Sequence, residues 1–398
     1  MLSWIPYRGY WSTPFARWQG EFAHLHALKF AAHVARAELA HRQIDAGTFD
    51  FAAYGLTIGQ HQSFYGLPWV TAMLGAPHLT GPTISQACAT GVRLMATAAG
   101  EMATGGAQRA LVIGADRTSN GPHVYYPAPD GPGGTGIAEN VVMDNFNDDP
   151  HARCAMVDTA ENVARREGIT TQEQHELVLH RQTQYQAALA GNRAFQTRYM
   201  QAQLDVPDAR FRKTDGQIAG DQGVYPAAPE KLAGLRPVRE GGSVTFAGQT
   251  HPADGNAGMI LTASAEEARE LAPAGAPAVA VLAFGQERED KGFMPAAPIR
   301  ATHRALQNAG IGIQDVAVFK SHNPFAVNDI AFARAFGLDW RAMNNFGSSL
   351  IWGHPHAATA LRGVIEMIEE LEMRGGGIGL FQGCAAGDSA MAVLIRVG

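Results

Sequence analysis

The spacing of apolar and polar positions divides the chain into three stretches of different character. In the first, residues 22–43 place apolar side chains at helical intervals with few breakers, which predicts a helix. Residues 83–85 predict a short strand leading to Cys88. Residues 90–103 predict a helix rich in alanine and methionine, stopped by Gly105 and Gly106, and residues 110–114 (ALVIG) a buried strand. Strand, turn, helix and strand in that order predict a parallel sheet. The second stretch opens on a glycine- and proline-rich loop, 121–136. It continues with helices over 156–167 and 171–190, where Thr170 and Glu173 have capping-box spacing and Gly191 supplies a stop. Residues 195–248 are polar and broken by glycine and proline, the pattern of an insertion extending from the core. The third stretch returns to α/β, with strands over 279–284, 316–319, 378–381 and 390–395. Its helices span 299–309 and 357–373, the latter amphipathic. A strand leading to a cysteine near glycine occurs once in each half, at Cys88 and at Cys384, which points to an internally duplicated fold.

Composition acts mainly by exclusion. The 398 residues are 46% hydrophobic and 17% charged, enough apolar material for a large core and too little charge for disorder. With 31 Lys+Arg against 37 Asp+Glu, the net charge of −6 argues against nucleic acid as a partner. No apolar run reaches the roughly 18 residues a membrane span needs, and the first residues carry no apolar leader core. Three cysteines in so long a chain are no disulfide framework. A cytoplasmic enzyme is expected, and each cysteine then needs its own account.

Cys88 falls where a strand ends and a helix begins. The partial positive charge of a helix start favours a thiolate, and backbone N–H groups there can hold an oxyanion. A small packed residue is the alternative, since free cysteine is often buried. His354, in Gly353-His354-Pro355, precedes a helix in a loop context, where a histidine can act as base and donor or simply support the turn. Cys384 follows an apolar strand between Gly383 and Gly387, which permit close backbone approach to a ligand. Cys154, among charged and loop residues, reads as incidental. No phosphate-binding GxxxxGK[ST] motif and no zinc-like cysteine spacing occur.

Taken together, the order of QACATG around Cys88, HNPF at His322 to Phe325, GHP at His354 and GCAAG at Cys384 resembles the thiolase superfamily. Thr13-Pro14-Phe15-Ala16-Arg17 is similar to its TPFGR segment, and Thr159 to Ala164 to its TAENVA helix. Glu230-Lys231-Leu232 with Leu235-Arg236-Pro237 resembles its EKLA.LRP stretch, and Asp254-Gly255 its DG turn. Asn344 to Arg362 is similar to its NxxGGxxxxGHPxGxxGxR motif, with Ser348, Ala357 and Ala360 at three glycine positions. The resemblance covers nearly the whole chain. It implies an α/β fold of five layers, built from two duplicated halves with an inserted loop domain: 1–116 completed by about 252–276, then 117–251 inserted, then 277–398. It further implies an acyltransferase that cleaves 3-oxoacyl-CoA with coenzyme A, or condenses acyl-CoA with acetyl-CoA. Cys88 would carry the acyl group, His354 would activate it and donate to the thioester oxygen, and Cys384 would be the acid/base. The backbone N–H groups of Cys88 and Ala386 would form one oxyanion hole, and His354 with His322 the other. Coenzyme A is a substrate here, so no cofactor and no metal are implied. Its nucleotide is expected at Arg210, Arg212 and Lys213, and its pantetheine near Thr250 or His251. A homodimer or homotetramer is implied, with a small OB-fold partner subunit as an option.

The departures from the family pattern matter as much. Where most of the family has Asn-Glu-Ala-Phe, this chain has His322-Asn323-Pro324-Phe325. His322 would hold the water that the asparagine holds, or donate directly. Sterol-carrier-protein-type members also begin this motif with histidine, which implies a branched, aromatic or otherwise bulky acyl chain. Ala357 and Ala386, at glycine positions, are expected to narrow the site. Two other readings stand beside the first. Cys88, His322 and His354 also form the Cys-His-His set of a decarboxylating ketoacyl-synthase-like enzyme, and a partner-dependent acyl-CoA-binding subunit would retain the same fold.

Overall fold

Two parallel strand pairs, each bridged by a buried helix, organise the chain. The computed structural model describes residues 1–398. In the first unit, Phe51–Gly55 runs parallel to Arg109–Arg117 with the helix Thr90–Ala103 between them in sequence. In the second, Val316–His322 runs parallel to Gly377–Ala385 with the helix Ala357–Met373 between. Each unit then adds antiparallel strands, Ala253–Thr262 in the first and Ser389–Val397 with Val279–Arg288 in the second. The two-residue strand Ser3–Trp4 pairs with both Ala253–Thr262 and Val279–Arg288 and so closes the seam between the halves.

The duplication is therefore present, but the two cysteines are not equivalent positions in it. Cys88 heads the bridging helix of its unit, whereas Cys384 lies near the end of a strand whose counterpart ends at Arg117. The Cys88 position corresponds instead to the His354 loop, which heads the second bridging helix. Repeats of equal topology thus bring the heads of two unlike helices to the same place.

Layering follows from which faces are apolar. Helices Ala27–His41 and Gly66–Leu74 cover the outer face of the first unit, Ala297–Ala309 covers that of the second, and the bridging helices lie between the sheets. A helix covered on all sides should be apolar nearly all round. Ala357–Met373 is so buried, from Ala357 to Leu371, and is not the amphipathic surface helix its sequence suggests. Its polar groups survive burial by pairing. Arg362 Nη1 donates to Asp221 Oδ1 at 2.6 Å and its Nε to Glu366 Oε1 at 3.0 Å, while Glu369 accepts the hydroxyls of Tyr7 and Tyr10. The two bridging helices approach until their backbones nearly touch. A Cβ at Gly91 would stand 2.8 Å from the Leu361 nitrogen and 2.9 Å from the Ala360 Cβ.

Residues 118–252 leave the core after Arg117 and return at Ala253, and Arg117 and Asp254 are paired neighbours in the sheet. This excursion holds the helices Met156–Glu167 and Thr171–Arg193, the second closed by a capping box at Thr170 and broken at Ala190 to Asn192. The loop 121–136 is not structureless, since His123–Tyr126 pairs with Ile137–Asn140 as a hairpin. The Asp254-Gly255 pair is no turn; it lies inside the buried strand Ala253–Thr262. No helix is long and apolar enough to cross a membrane.

Candidate active site

Cys88 is set in place by a braced turn. Thr90 Oγ1 accepts the Gln86 N–H at 2.8 Å and donates to the Ala87 carbonyl at 2.7 Å, while Ala87 takes a left-handed φ of 44°. The thiol, 5% exposed, lies at the head of the helix Thr90–Ala103, with the backbone N–H groups of Ala386 and of Cys88 itself near enough to Sγ to favour its charged form. Burial outweighs them and pushes the thiol up to about 12. Two N–H groups beside one sulfur are also the donors an oxyanion on that sulfur's acyl carbon would meet.

The histidines are fixed from behind. Asp329, fully buried on Arg181, accepts Ser321 Oγ at 2.6 Å, Asn323 Nδ2 at 2.6 Å and Asn344 Nδ2 at 3.0 Å, and so pins residues on both sides of His322. His322 Nδ1 meets Ser349 Oγ at 2.8 Å, and His354 Nδ1 meets Thr359 Oγ1 at 2.7 Å. Ser349 has one hydroxyl proton for two acceptors, His322 Nδ1 and Asn323 Oδ1 at 3.2 Å; given to Nδ1, it leaves the ring proton on Nε2, the tautomer that can donate into the site. The His354 N–H donates to the His251 carbonyl at 3.0 Å. Both rings leave Nε2 buried without a partner. They stack at 4.0 Å between centroids, and a nitrogen of each lies within 4.8 Å of the other and of Cys88 Sγ. One thiol and two imidazoles at that spacing could also hold a zinc ion, with the two hydroxyls as outer supports.

Cys384, 1% exposed, is held by Asn328, whose Nδ2 donates to its Sγ at 3.3 Å. Burial raises its thiol, and the neighbouring Cys88 adds to the rise. His356 continues the stack on His354 at 4.4 Å. Burial favours the neutral form of all three imidazoles. Burial pulls His322 down to about 3 and His356 to about 4, and it lowers His354 well below the usual range, with the adjoining imidazoles adding to the drop in His322 and His354.

A carboxylate that the sequence did not single out ties these parts together. Asp116 Oδ1 accepts the N–H groups of Thr57 and Ile58, each at 2.9 Å. Its Oδ2 accepts Thr57 Oγ1 at 2.8 Å and the Ala357 N–H at 2.9 Å, directly behind the His354 loop. Burial raises its pKa to about 6. Between pH 3.8 and about 6 the unfolded chain therefore loses this proton before the folded one does, and stability falls as pH rises through that window. Asp116→Asn is expected to remove that dependence. An amide in place of Oδ2 leaves the Ala357 N–H unpaired, at a cost of about 1–3 kcal/mol. Denaturant unfolding of both proteins at pH 4 and pH 7 checks this; an unchanged midpoint at pH 7 would count against it.

A cavity of about 350 Å³ leads to Cys88 and His354. Its outer wall comes from the excursion, with Arg239, Phe246, Gln249 and Thr250, and Phe246 is 78% exposed at the mouth. Thr250 thus lies where expected. His251 does not line this cavity; its carbonyl supports His354. Arg210, Arg212 and Lys213 are not brought here either. They are exposed around the tip of the hairpin Leu204–Pro207 and Thr214–Ile218, packed toward the helix Ala27–His41 by the Phe211–His33 contact at 5.5 Å. The charge run drew attention, whereas the cation at the cavity is the isolated Arg239, paired with Asp158 at 2.5 Å. Ala357 does not narrow the site. It packs under Gly55 and Gly114, whose missing side chains make room for it. Cys154, taken as incidental, lines a second cavity together with Ala386.

Comparisons with known proteins identify the family and the fold. The family described as "Thiolase, N-terminal domain" matches residues 10–265, and "Thiolase, C-terminal domain" matches residues 276–397. The chain is similar to a beta-ketothiolase of Cupriavidus necator, 27% identical with 92% of each chain covered. It is equally similar to an acetyl-CoA acetyltransferase of Escherichia coli, 27% identical with 96% of each covered. Its fold superposes on human mitochondrial 3-ketoacyl-CoA thiolase with a TM-score of 0.88 over the full length of both, at 24% identity.

Proposed function

Because the chain belongs to the thiolase family, we propose that it transfers acyl groups between coenzyme A thioesters through an acyl-cysteine on Cys88. The overall change is thiolysis of a 3-oxoacyl-CoA or its reverse, condensation with acetyl-CoA. The observation that carries this reading is one place holding a thiol beside two backbone N–H groups, two unpartnered imidazole nitrogens and a second buried thiol.

The steps follow from those positions. Cys88 Sγ attacks C3 of the 3-oxoacyl-CoA as its proton passes to His354 Nε2. Thiol and imidazole are both neutral at rest, so the transfer accompanies attack rather than preceding it. The oxyanion on C3 sits on the N–H groups of Cys88 and Ala386. Collapse breaks the C2–C3 bond, and the electron pair goes to C2 as an enolate. Its oxygen, on the thioester carbon, is held by donors from His354 and His322, and Cys384 protonates C2 to release acetyl-CoA. The Cys384 thiolate then takes the proton of an incoming coenzyme A thiol, whose sulfur attacks the acyl group; the acyl C–S bond to Cys88 breaks, and the Cys88 sulfur takes back the proton held on His354 Nε2. The cavity ending at Thr250 would seat the pantetheine arm, with Arg239 at its mouth for phosphate.

A second reading has one observation in its favour: His322 and His354 both stand by Cys88, as a decarboxylating condensing enzyme needs. Cys384 at the same place weighs against it. His322→Asn separates the two. Thiolysis of 3-oxoacyl-CoA esters, followed by loss of the enolate absorbance, is expected to fall by no more than about tenfold in this variant if His322 only supplies one of several oxyanion donors. Decarboxylation of malonyl-CoA by the unaltered enzyme, abolished in His322→Asn, would shift the assignment to the second reading.

A further inference from the structure

The second cavity is lined by an imidazole that the chemistry above does not use, His356. The cavity measures about 450 Å³ and is lined by Ala87, the residue before Cys88, and by Ala386, whose N–H lies near Cys88 Sγ, so it starts beside the sulfur that would carry the acyl group. Phe146, Met156, Met294 and His356 line both this cavity and the coenzyme-side one, so these four residues form the partition between the two. The Phe146 and His356 rings stack at 5.7 Å, 17° from parallel.

His356 is 5% exposed, and its Nε2 has no hydrogen-bond partner. The orphaned Nε2 atoms of His322 and His354 are accounted for by Cys88; that of His356 is not. Burying such a group unpaired is costly, and native structures seldom do so without a reason. The backbone adds to the cost, because His356 takes a φ of 25°, a conformation side chains rarely adopt. A polar atom of a ligand in the cavity would account for a strained, nearly buried imidazole at its wall.

We propose that the second cavity receives the distal end of the acyl group, and that His356 hydrogen-bonds a neutral polar substituent on it, a hydroxyl or a carbonyl. The chain would then prefer acyl-CoA esters bearing such a group to plain hydrocarbon chains. This rests on the acyl-transfer reading and gives it a substrate class. The charge of the walls supports a neutral group. Asp149 and Asp388 line the cavity and no lysine or arginine does, so a carboxylate would be repelled. Thr57, Ser85 and Asn145 supply further polar contacts, while Met156 and Met294 fit an irregular apolar stem. The volume lies within the range of small-molecule sites and far exceeds what an acetyl group fills.

The test compares two 3-oxoacyl-CoA esters of equal heavy-atom count, one ending in a hydroxyl and one in a methyl, as substrates for thiolysis. In the unaltered enzyme the kcat/KM ratio is expected to favour the hydroxyl ester by about 10–10²-fold, because sites built to hydrogen-bond a hydroxyl reject the analogue that lacks it. His356→Leu should bring the ratio to about one or below. His356→Gln, which keeps a terminal hydrogen-bonding group, should retain most of the preference. Each ratio is taken within one protein, so losses in folding or in the chemical steps cancel. A methyl preference in the unaltered enzyme, or a ratio unmoved by His356→Leu, overturns the inference. Acetoacetyl-CoA, too short to enter the cavity, separates the two levels. Turnover of it without a hydroxyl preference removes the cavity assignment and leaves acyl transfer standing, whereas no turnover of any of the three esters removes both.

Discussion

Cys88→Ala is expected to abolish acyl transfer, with a fall in kcat of about 10⁴-fold or more, since loss of a covalent nucleophile leaves only binding and the oxyanion donors. The side chain removed is small and already packed, and the braced turn of Gln86, Ala87 and Thr90 does not depend on it, so the variant should fold. Mass spectrometry after incubation with acyl-CoA should find the acyl group on the peptide carrying Cys88, and on no peptide of the variant. Acylation that persists in Cys88→Ala would show that another thiol carries the group. The charge state of the resting site gives a second readout. With burial pushing the thiol up to about 12 and the imidazoles down, the thiol rather than the thiolate is expected on Cys88 at neutral pH. Alkylation by iodoacetamide should therefore rise about tenfold per pH unit from pH 7 to 9, following the thiolate fraction. A plateau across that range would mean a preformed thiolate–imidazolium pair.

Cys384→Ser is expected to divide the reaction in two. The variant should still accept an acyl group from acyl-CoA on Cys88, though more slowly, because the coenzyme A thiolate that leaves there is stable without the proton Cys384 would supply, whereas an enolate is not. It should lose thiolysis and condensation by about 10²–10⁴-fold, the usual contribution of a positioned acid or base. The Asn328 amide that donates to Cys384 Sγ favours a thiolate there. A serine hydroxyl in the same position is far too weak an acid to give the corresponding base. Single-turnover acylation by acyl-CoA followed by a chase with acetyl-CoA distinguishes the halves. Full activity in Cys384→Ser would reduce Cys384 to packing, and equal loss in both halves would make it part of acylation.

The residues that carry chemistry were legible where a motif combined with a local break in periodicity. The helices Thr90–Ala103 and Ala357–Met373 begin and end where the pattern placed them, and with them come Cys88 and the His354 loop. The strand Ala253–Thr262 was not legible, for a physical reason. Both of its faces are covered, so its residues do not alternate, and its small polar start imitates a turn. Asp116 escaped notice because a carboxylate at the end of a strand looks like any surface acid until its four donors are in place. Arg239 carried no signal at all, being one cation in a polar segment, while the run Arg210, Arg212 and Lys213 carried a signal that the fold places elsewhere. His356 could have been found: a third imidazole two residues after His354 in an otherwise small-residue stretch is unusual enough to ask what it faces.

The excursion of residues 118–252 starts and finishes on two strands that are direct neighbours, with Arg117 opposite Asp254. By chain connection the scaffold that carries both cysteines and the histidines meets this segment at one pair of adjacent points, but Arg181, Asp221 and His251 of the segment also hold Asp329, Arg362 and the His354 N–H of the scaffold. Those three anchors have to be kept. The cavity-lining stretches between them can lengthen, shorten or be replaced from a relative while the strand register and the catalytic atoms stay where they are. The wall of the coenzyme-side cavity and much of the wall of the second one belong to the exchangeable part. Selection for a new acyl group or a new mode of coenzyme recognition can thus act on one continuous stretch of gene, without renegotiating the reaction itself.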